Sequence, residues 1–157
     1  MEGLGAAQFA MDGAVDRLRA VSTARDRTEP GADPHALVLA AADPANAYGA
    51  ALPWPEPPAG AGHKPGRKAG SLVVLVDGEL TLYMERGGKT LLAWPTDPDD
   101  PALRAAATAL AGAARAGALG TVTVERTNGA SSLTSPLGRT LEAAGFLATP
   151  RGLRLRA

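Results

Sequence analysis

Two basic groups are the first candidates for chemistry in this chain of 157 residues. His63-Lys64-Pro65-Gly66-Arg67-Lys68 is a short basic loop, and Arg139, Arg151, Arg154 and Arg156 crowd the C-terminal end, where Glu142 is the one acid after Glu125. A basic loop and a basic hairpin are what contacts to nucleic-acid phosphates require, although exposed Arg and Lys also simply keep a surface soluble. A third group is polar and aromatic: Asp43, Asn46, Tyr48 and Trp54 fall within one short stretch. It suits a surface that meets nucleic acid or offers a carboxylate. It also suits turns at Asp43-Pro44 and Asn46, with Tyr48 and Trp54 packed under a proline-rich loop, and the second reading is preferred. No second titratable group lies near Asp43 in sequence, so general acid–base work is not indicated there.

Other chemistries find no support. Gly87-Gly88-Lys89-Thr90 invites comparison with a phosphate loop, but that motif needs a glycine five positions before Gly88, where this chain has Tyr83. Its flanks read as strand, turn, strand, without the helix N-terminus that would supply a positive dipole. The histidines are His35 and His63 alone, and cysteine is absent, so no set of three or four zinc ligands can be read and no metal is expected. Ser131, Ser132 and Ser135 lack the setting of an activated nucleophile and read as loop and cap residues.

The bulk numbers narrow the class. The length fits one domain, or one domain plus a fragment. Net charge is zero, so any nucleic-acid contact must come from a local patch. The absence of cysteine removes disulfides and thiolate chemistry and fits a reducing compartment. No apolar run approaches the roughly 20 residues of a membrane span, and charges interrupt the first 20 residues, so a cytoplasmic protein with no membrane partner is expected.

The elements that must position these residues are legible in outline. Gln8-Phe9-Ala10-Met11 is a short apolar piece, Ala14–Arg19 has one or two helical turns, and residues 22–34 read as a polar linker. Ala36–Ala42 predicts a buried strand before Asp43-Pro44. Residues 50–69 hold five prolines, which no regular element survives. Ser71–Val76, Glu79–Arg86 and Lys89–Trp94 predict an antiparallel meander, turned at Asp77-Gly78 and Gly87-Gly88. Along the middle strand Leu80, Leu82 and Met84 are expected on one face. Asp100-Pro101 starts a helix carrying Leu103, Ala107, Leu110 and Ala114, and Gly117 ends it. Thr121–Arg126 alternates like a strand, Asn128-Gly129 turns the chain, Ser135-Pro136 caps a second helix, and Pro150-Arg151-Gly152 closes a last hairpin. The predicted class is α+β: an antiparallel β-meander or partly closed barrel with two packed helices.

Several segments together carry a resemblance. They are residues 2–10 and 13–19, then Asp43-Pro44-Ala45-Asn46-Ala47-Tyr48-Gly49-Ala50-Ala51-Leu52-Pro53-Trp54-Pro55, Val73–Leu80, Tyr83–Gly88, and Thr149-Pro150-Arg151-Gly152-Leu153-Arg154. In order and spacing they resemble the C-terminal region of the large helicase-related (Lhr) DNA helicases of bacteria, over nearly the whole chain. The family typically has proline where this chain has Ala47. The resemblance implies a piece of an ATP-dependent helicase of DNA repair, acting on strands of DNA or of DNA paired with RNA. Residues 1–30 would be the tail of a winged-helix unit and a linker, and residues 35–157 a β-rich α+β module.

ATP and Mg2+ would belong to the motor of such a parent protein. No phosphate loop, Asp-Glu-x-His box or arginine finger is present here, so no cofactor is expected in this chain. DNA contacts are expected from Lys64, Arg67, Lys68, Arg151, Arg154 and Arg156, with Trp54 or Tyr48 stacking on bases. The resemblance also implies an alternative: part of a uracil-excising site completed by upstream winged-helix units, for which Asp43 and Glu85 are the weak carboxylate candidates and Asp77 is taken up by its turn. Whether the chain is an enzyme stays open. A third reading is oligomerisation through an exposed strand edge.

Overall fold

A computed structural model describes residues 13–26 and 32–156. The chain divides into two units, Met1–Ala32 and Asp33–Ala157. In the first, helix α1 spans Ala14–Asp26. It therefore runs through residues 22–26, where a linker was expected. No glycine or proline interrupts the chain between Gly13 and Pro30, so nothing stops the helix at Val21. The apolar piece at Gln8–Met11 lies outside the described residues.

The second unit is mixed α+β. Its strands are β1 (Ala36–Ala40), β2 (Leu72–Val76), β3 (Glu79–Met84), β4 (Thr90–Ala93), β5 (Val122–Val124), β6 (Arg126–Thr127), β7 (Ala130–Ser131), β8 (Leu147–Thr149) and β9 (Gly152–Leu155). Helix α2 spans Pro101–Arg115 and α3 spans Pro136–Ala143. One sheet has the order β1-β2-β3-β4-β6-β7, and a second has the order β5-β9-β8. The expected meander is present: β1 through β4 pair antiparallel in sequence order. The expected curling into a partly closed barrel gives no closure among the described residues. After β4 the chain leaves through α2 and returns as β6, which pairs parallel to β4 over two residues. The sheet then ends at the short strand β7, which has no pairing with β1.

Both turns of the meander form for the expected reason. Asp77 and Gly78 adopt φ of 50° and 86°, and Gly87 and Gly88 adopt 87° and 77°. These left-handed pairs match the twist of a tight hairpin, and glycine enters them without steric cost. The Gly87-Gly88-Lys89-Thr90 segment is thus the β3–β4 hairpin turn.

The expected alternation along β3 breaks once. Val74 pairs with Leu82 and Leu75 with Leu80, so Thr81 is the extra residue of a bulge. The bulge sends Leu80 to the side of Tyr83 and leaves Leu82 and Met84 on the other. Strand β1 is also not the buried strand expected from its apolar run. It is an edge strand that pairs only with β2, and Leu37 is exposed. An unbroken apolar run cannot by itself tell an edge from a centre.

Two apolar clusters sandwich the sheet. On one face Val74, Val76, Leu82, Met84, Leu91 and Ala93 meet the buried stripe of α2, which is Leu103, Ala106, Ala107, Leu110, Ala111 and Ala114. Those positions recur at helical spacing, and four alanines let the helix lie close to the sheet. Asp100 caps α2, its Oδ1 accepting from Ala102 N at 2.7 Å. Ser135 caps α3 in the same way through Leu137 N. Leu153 and Leu155 of β9 join this cluster from the second sheet. On the other face Val73, Leu80, Tyr83 and Leu92 are covered by the segment 41–70, which brings Ala41, Ala61, Tyr48 and Trp54.

Candidate nucleic-acid interface

The segment 41–70 is nearly free of regular structure, with an isolated bridge between Tyr48 and Leu52. Side chains therefore hold it. Asn46 is buried, donates to Ala41 O at 2.9 Å and accepts from Tyr48 N at 3.1 Å. The ring of Tyr48 stacks on Trp54 at 6.2 Å between centroids, and Trp54 meets Tyr83 edge-on at 5.8 Å. The Tyr48 hydroxyl accepts from Leu80 N, beside the β3 bulge. Tyr48 and Trp54 thus pack against the sheet beneath this segment.

Arg67 is the clamp of the segment. Its Nη1 donates to Asn46 O at 2.7 Å and Tyr48 O at 3.3 Å, and its Nη2 to Ala42 O at 3.0 Å and Asp43 O at 3.1 Å. Four terminal N–H bonds meet four carbonyls, a geometry that only a planar guanidinium supplies. Asp43 is engaged through its side chain as well, with Oδ1 accepting from Ala45 N at 2.8 Å in a turn. Asp77 Oδ1 accepts from His35 N at 3.2 Å.

Glu85 is placed differently from Asp43. Lys68 Nζ lies 2.6 Å from its Oε1, and His63 Nε2 lies 3.5 Å from its Oε2. The second distance is too long for a good hydrogen bond, and His63 Nε2 is buried without one among the described residues. His63 Nδ1 lies 3.0 Å from Ala61 O. A carbonyl only accepts, so Nδ1 carries a ring hydrogen. The chain thus brings an imidazole and an ammonium to a carboxylate that lies 22 and 17 residues further along the sequence. Lys64 is exposed on the same loop.

The hydrogen bond to Glu85 raises the Lys68 pKa above the ordinary lysine value, against a smaller opposing effect of burial. A raised lysine pKa favours the folded state while the unfolded lysine is still protonated, and the gain fades as pH climbs through the folded value. Lys68 is half-exposed, so screening limits the pair to below about 1 kcal/mol. Glu85→Gln is therefore expected to lower stability slightly at neutral pH. Urea titrations should show that deficit shrinking above the lysine range, and a deficit that persisted there would exclude the ion pair as its source.

The C-terminal arginines stand on the other sheet. In β9, Leu153 and Leu155 point into the core, so Arg154 alternates to the opposite side, and Arg156 follows directly after the strand and is exposed. Arg154 sits between Thr123 on β5 and Leu147 on β8. Arg151 is exposed at the turn of the β8–β9 hairpin. The two basic groups thus belong to different sheets: Lys64, Arg67 and Lys68 to the cover of the six-stranded sheet, and Arg151, Arg154 and Arg156 to the three-stranded one. Within the first group, Arg67 is tied to backbone and Lys68 to Glu85. Arg115 escaped the sequence reading. It lies 36 residues before Arg151 and reaches the second sheet only because α2 ends beside the end of α3, where its Nη2 donates to Ala144 O at 3.0 Å.

No family model matches the chain. It is 48% identical over 163 aligned residues to a protein of Mycolicibacterium smegmatis described as "Lhr helicase/ probable uracil glycosylase", with 99% of this chain covered. It is 37% identical over 156 residues to the "Lhr helicase/uracil glycosylase" of Escherichia coli, with 98% covered. The chain spans about a tenth of the length of either relative, 10% in each case.

Proposed function

We propose that this chain, which corresponds to the C-terminal region of the Lhr family, is an accessory module that holds DNA for a motor located elsewhere in a longer protein. The observation that carries this reading is similarity over almost every residue to two proteins described as helicases. The β5-β9-β8 sheet adds a physical reason, since Arg154 of β9 and Arg156 just after it line one groove, and Arg151 is exposed at the hairpin turn. Phosphate contacts need such unpaired cations on one surface. Arg67 drops out of that surface because its terminal N–H groups are engaged. Trp54 and Tyr48 act under the cover segment rather than on bases.

In this reading the module hydrolyses no ATP; ATP and Mg2+ serve the motor, and DNA repair is the setting. Winged-helix units of a longer chain are its neighbours, and DNA paired with RNA is a second substrate. A second copy could pair along the free edge of β1 or β8.

The test is a salt series. Binding of the chain to single-stranded and duplex DNA, measured by anisotropy between about 50 and 200 mM salt, should weaken steeply as counterions compete. ATP turnover should stay at background with DNA present. Absence of binding at the lowest salt, or DNA-stimulated turnover, would overturn the proposal.

One observation favours a second reading, in which the chain contributes to a uracil-excising site. Both relatives carry a glycosylase description, and Glu85 is a half-buried carboxylate set between two basic side chains. Excision extrudes the base from the helix and needs negative charge near the sugar as the bond breaks. Glu85 suits that role better than Asp43, whose Oδ1 is taken by its turn. In a protein that includes the upstream units, uracil release should fall sharply with Glu85→Gln and little with Asp43→Asn. Unchanged release in both variants removes these carboxylates.

A further inference from the structure

We propose that the groove between the ends of α2 and α3 and the β8–β9 hairpin seats a phosphodiester of a DNA strand, with Leu147 under the adjoining sugar. This rests on the DNA-holding reading above and names the site within it. The groove has a volume of about 450 Å³ and is lined by Arg115, Gly145, Leu147, Thr149, Arg154 and Arg156, among others. Among the described residues its lining includes three arginines and no acidic residue.

Two features mark a built site rather than scattered charge. First, the Nε of Arg154 is shut off from solvent and has no hydrogen-bond acceptor among the described residues. That atom is packed away from any anion as well as from water, which fixes the root of the guanidinium, and a phosphate oxygen is the acceptor its terminal N–H groups bind best. Second, Arg115 is held in place. Its Nη2 donates to Ala144 O at 3.0 Å, and a side chain at position 145 would collide with its guanidinium. Gly145 therefore opens the path by which Arg115 reaches the groove. The contact also matters for the anion. The carboxyl end of a helix repels negative charge, and Arg115 covers the carbonyl that would otherwise face it.

Leu147 supplies the apolar half. It is 72% exposed, the most exposed large apolar side chain among the described residues, and it pairs across the strands with Arg154. A bare inorganic anion would leave it in water. A nucleotide presents a phosphate beside a less polar sugar, which matches a guanidinium beside a leucine. A positively charged groove that tracks the backbone is the usual form of such binding.

The test compares variants of the whole chain on a short labelled single strand. The pair Arg154→Gln and Arg156→Gln should lower the slope of log affinity against log salt by roughly 0.7, the value for the one phosphate the groove seats. Leu147→Glu, at an exposed position that tolerates polarity, should weaken binding at least several-fold and keeps the test open if the arginine pair disturbs folding. Arg139→Gln removes an exposed charge from α3 outside the groove and should bind like the parent. If Arg139→Gln weakens binding as much as the arginine pair, bulk charge explains the effect and the groove is not the seat. If the parent binds and neither groove change matters, the groove assignment falls while the DNA-holding reading stands. If the parent binds no DNA, both fall.

Discussion

Gly152→Ala is expected to destabilise the chain by about 3 kcal/mol or more, and to do so through the second sheet. Gly152 begins β9 with φ of 144°, a conformation that an L side chain rarely adopts. A Cβ there would lie 2.9 Å from both the Glu125 Cα and the Val124 carbonyl carbon, and closer still to Val124 O. These are backbone atoms, so no rotamer change relieves the collision. Strand β9 would have to lift away from β5, and the pairing of Val124 with Leu153 would be the first to go. Leu153 is fully buried in the main cluster, so the shift opens the core as well. It would also displace Arg154 and Arg156 together. Urea denaturation gives the stability, and binding to single-stranded DNA at a temperature where the variant is still folded should be weaker than the parent's. A loss below about 0.5 kcal/mol would show that β9 accommodates the methyl group.

What was legible in the sequence is the local part of this architecture. Asp77-Gly78, Asn128-Gly129, Asp100-Pro101 and Ser135-Pro136 fix turns and helix starts by steric preference or by a side chain reaching its own backbone. Neither effect needs a distant partner. The buried stripe of α2 follows from apolar spacing alone. The non-local part was hidden. The bulge at Thr81 reverses the side on which Leu80 lies, and only the pairing of β2 with β3 creates it. Asn128 was legible as a turn residue with φ of 48°. Its second role was not: its amide donates to Ala93 O at 2.9 Å and its Oδ1 accepts from Ala93 N at 2.8 Å, closing a gap in the ladder from 35 residues away. The site divides along the same line. Arg154 and Arg156 stand out as a basic hairpin. Arg115 joins them only through the packing of α2 against α3, Leu147 joins them by pairing with Arg154 across the β8–β9 hairpin, and His63 and Lys68 meet Glu85 only because the cover segment folds back over β3.

Arg67 shows how far the meaning of a basic residue depends on such folding, and its substitution is the second change with a large expected effect. Within His63–Lys68 it reads as one more phosphate contact. In the structure its four terminal N–H bonds run to Ala42, Asp43, Asn46 and Tyr48, and they gather both ends of the cover segment. Arg67→Met keeps much of the volume and leaves four carbonyls without that donor, several of them part-buried. Each hydrogen bond to a charged donor contributes about 1.5–3 kcal/mol, and water replaces part of it where the segment is exposed, so a net loss of roughly 2–4 kcal/mol is expected. Arg67→Lys should recover less than half, because a single ammonium cannot span carbonyls on both sides of a planar fork. The stacking of Tyr48 on Trp54 should loosen with the loop, which tryptophan fluorescence of the native state would report. DNA binding by the folded fraction should keep its affinity and its salt slope. The Arg154 and Arg156 pair is expected to behave in the opposite way, with stability nearly intact and DNA binding reduced. If Arg67→Met instead left stability unchanged and lowered the salt slope, its guanidinium would be facing phosphate, and the cover segment would have to be held by other contacts.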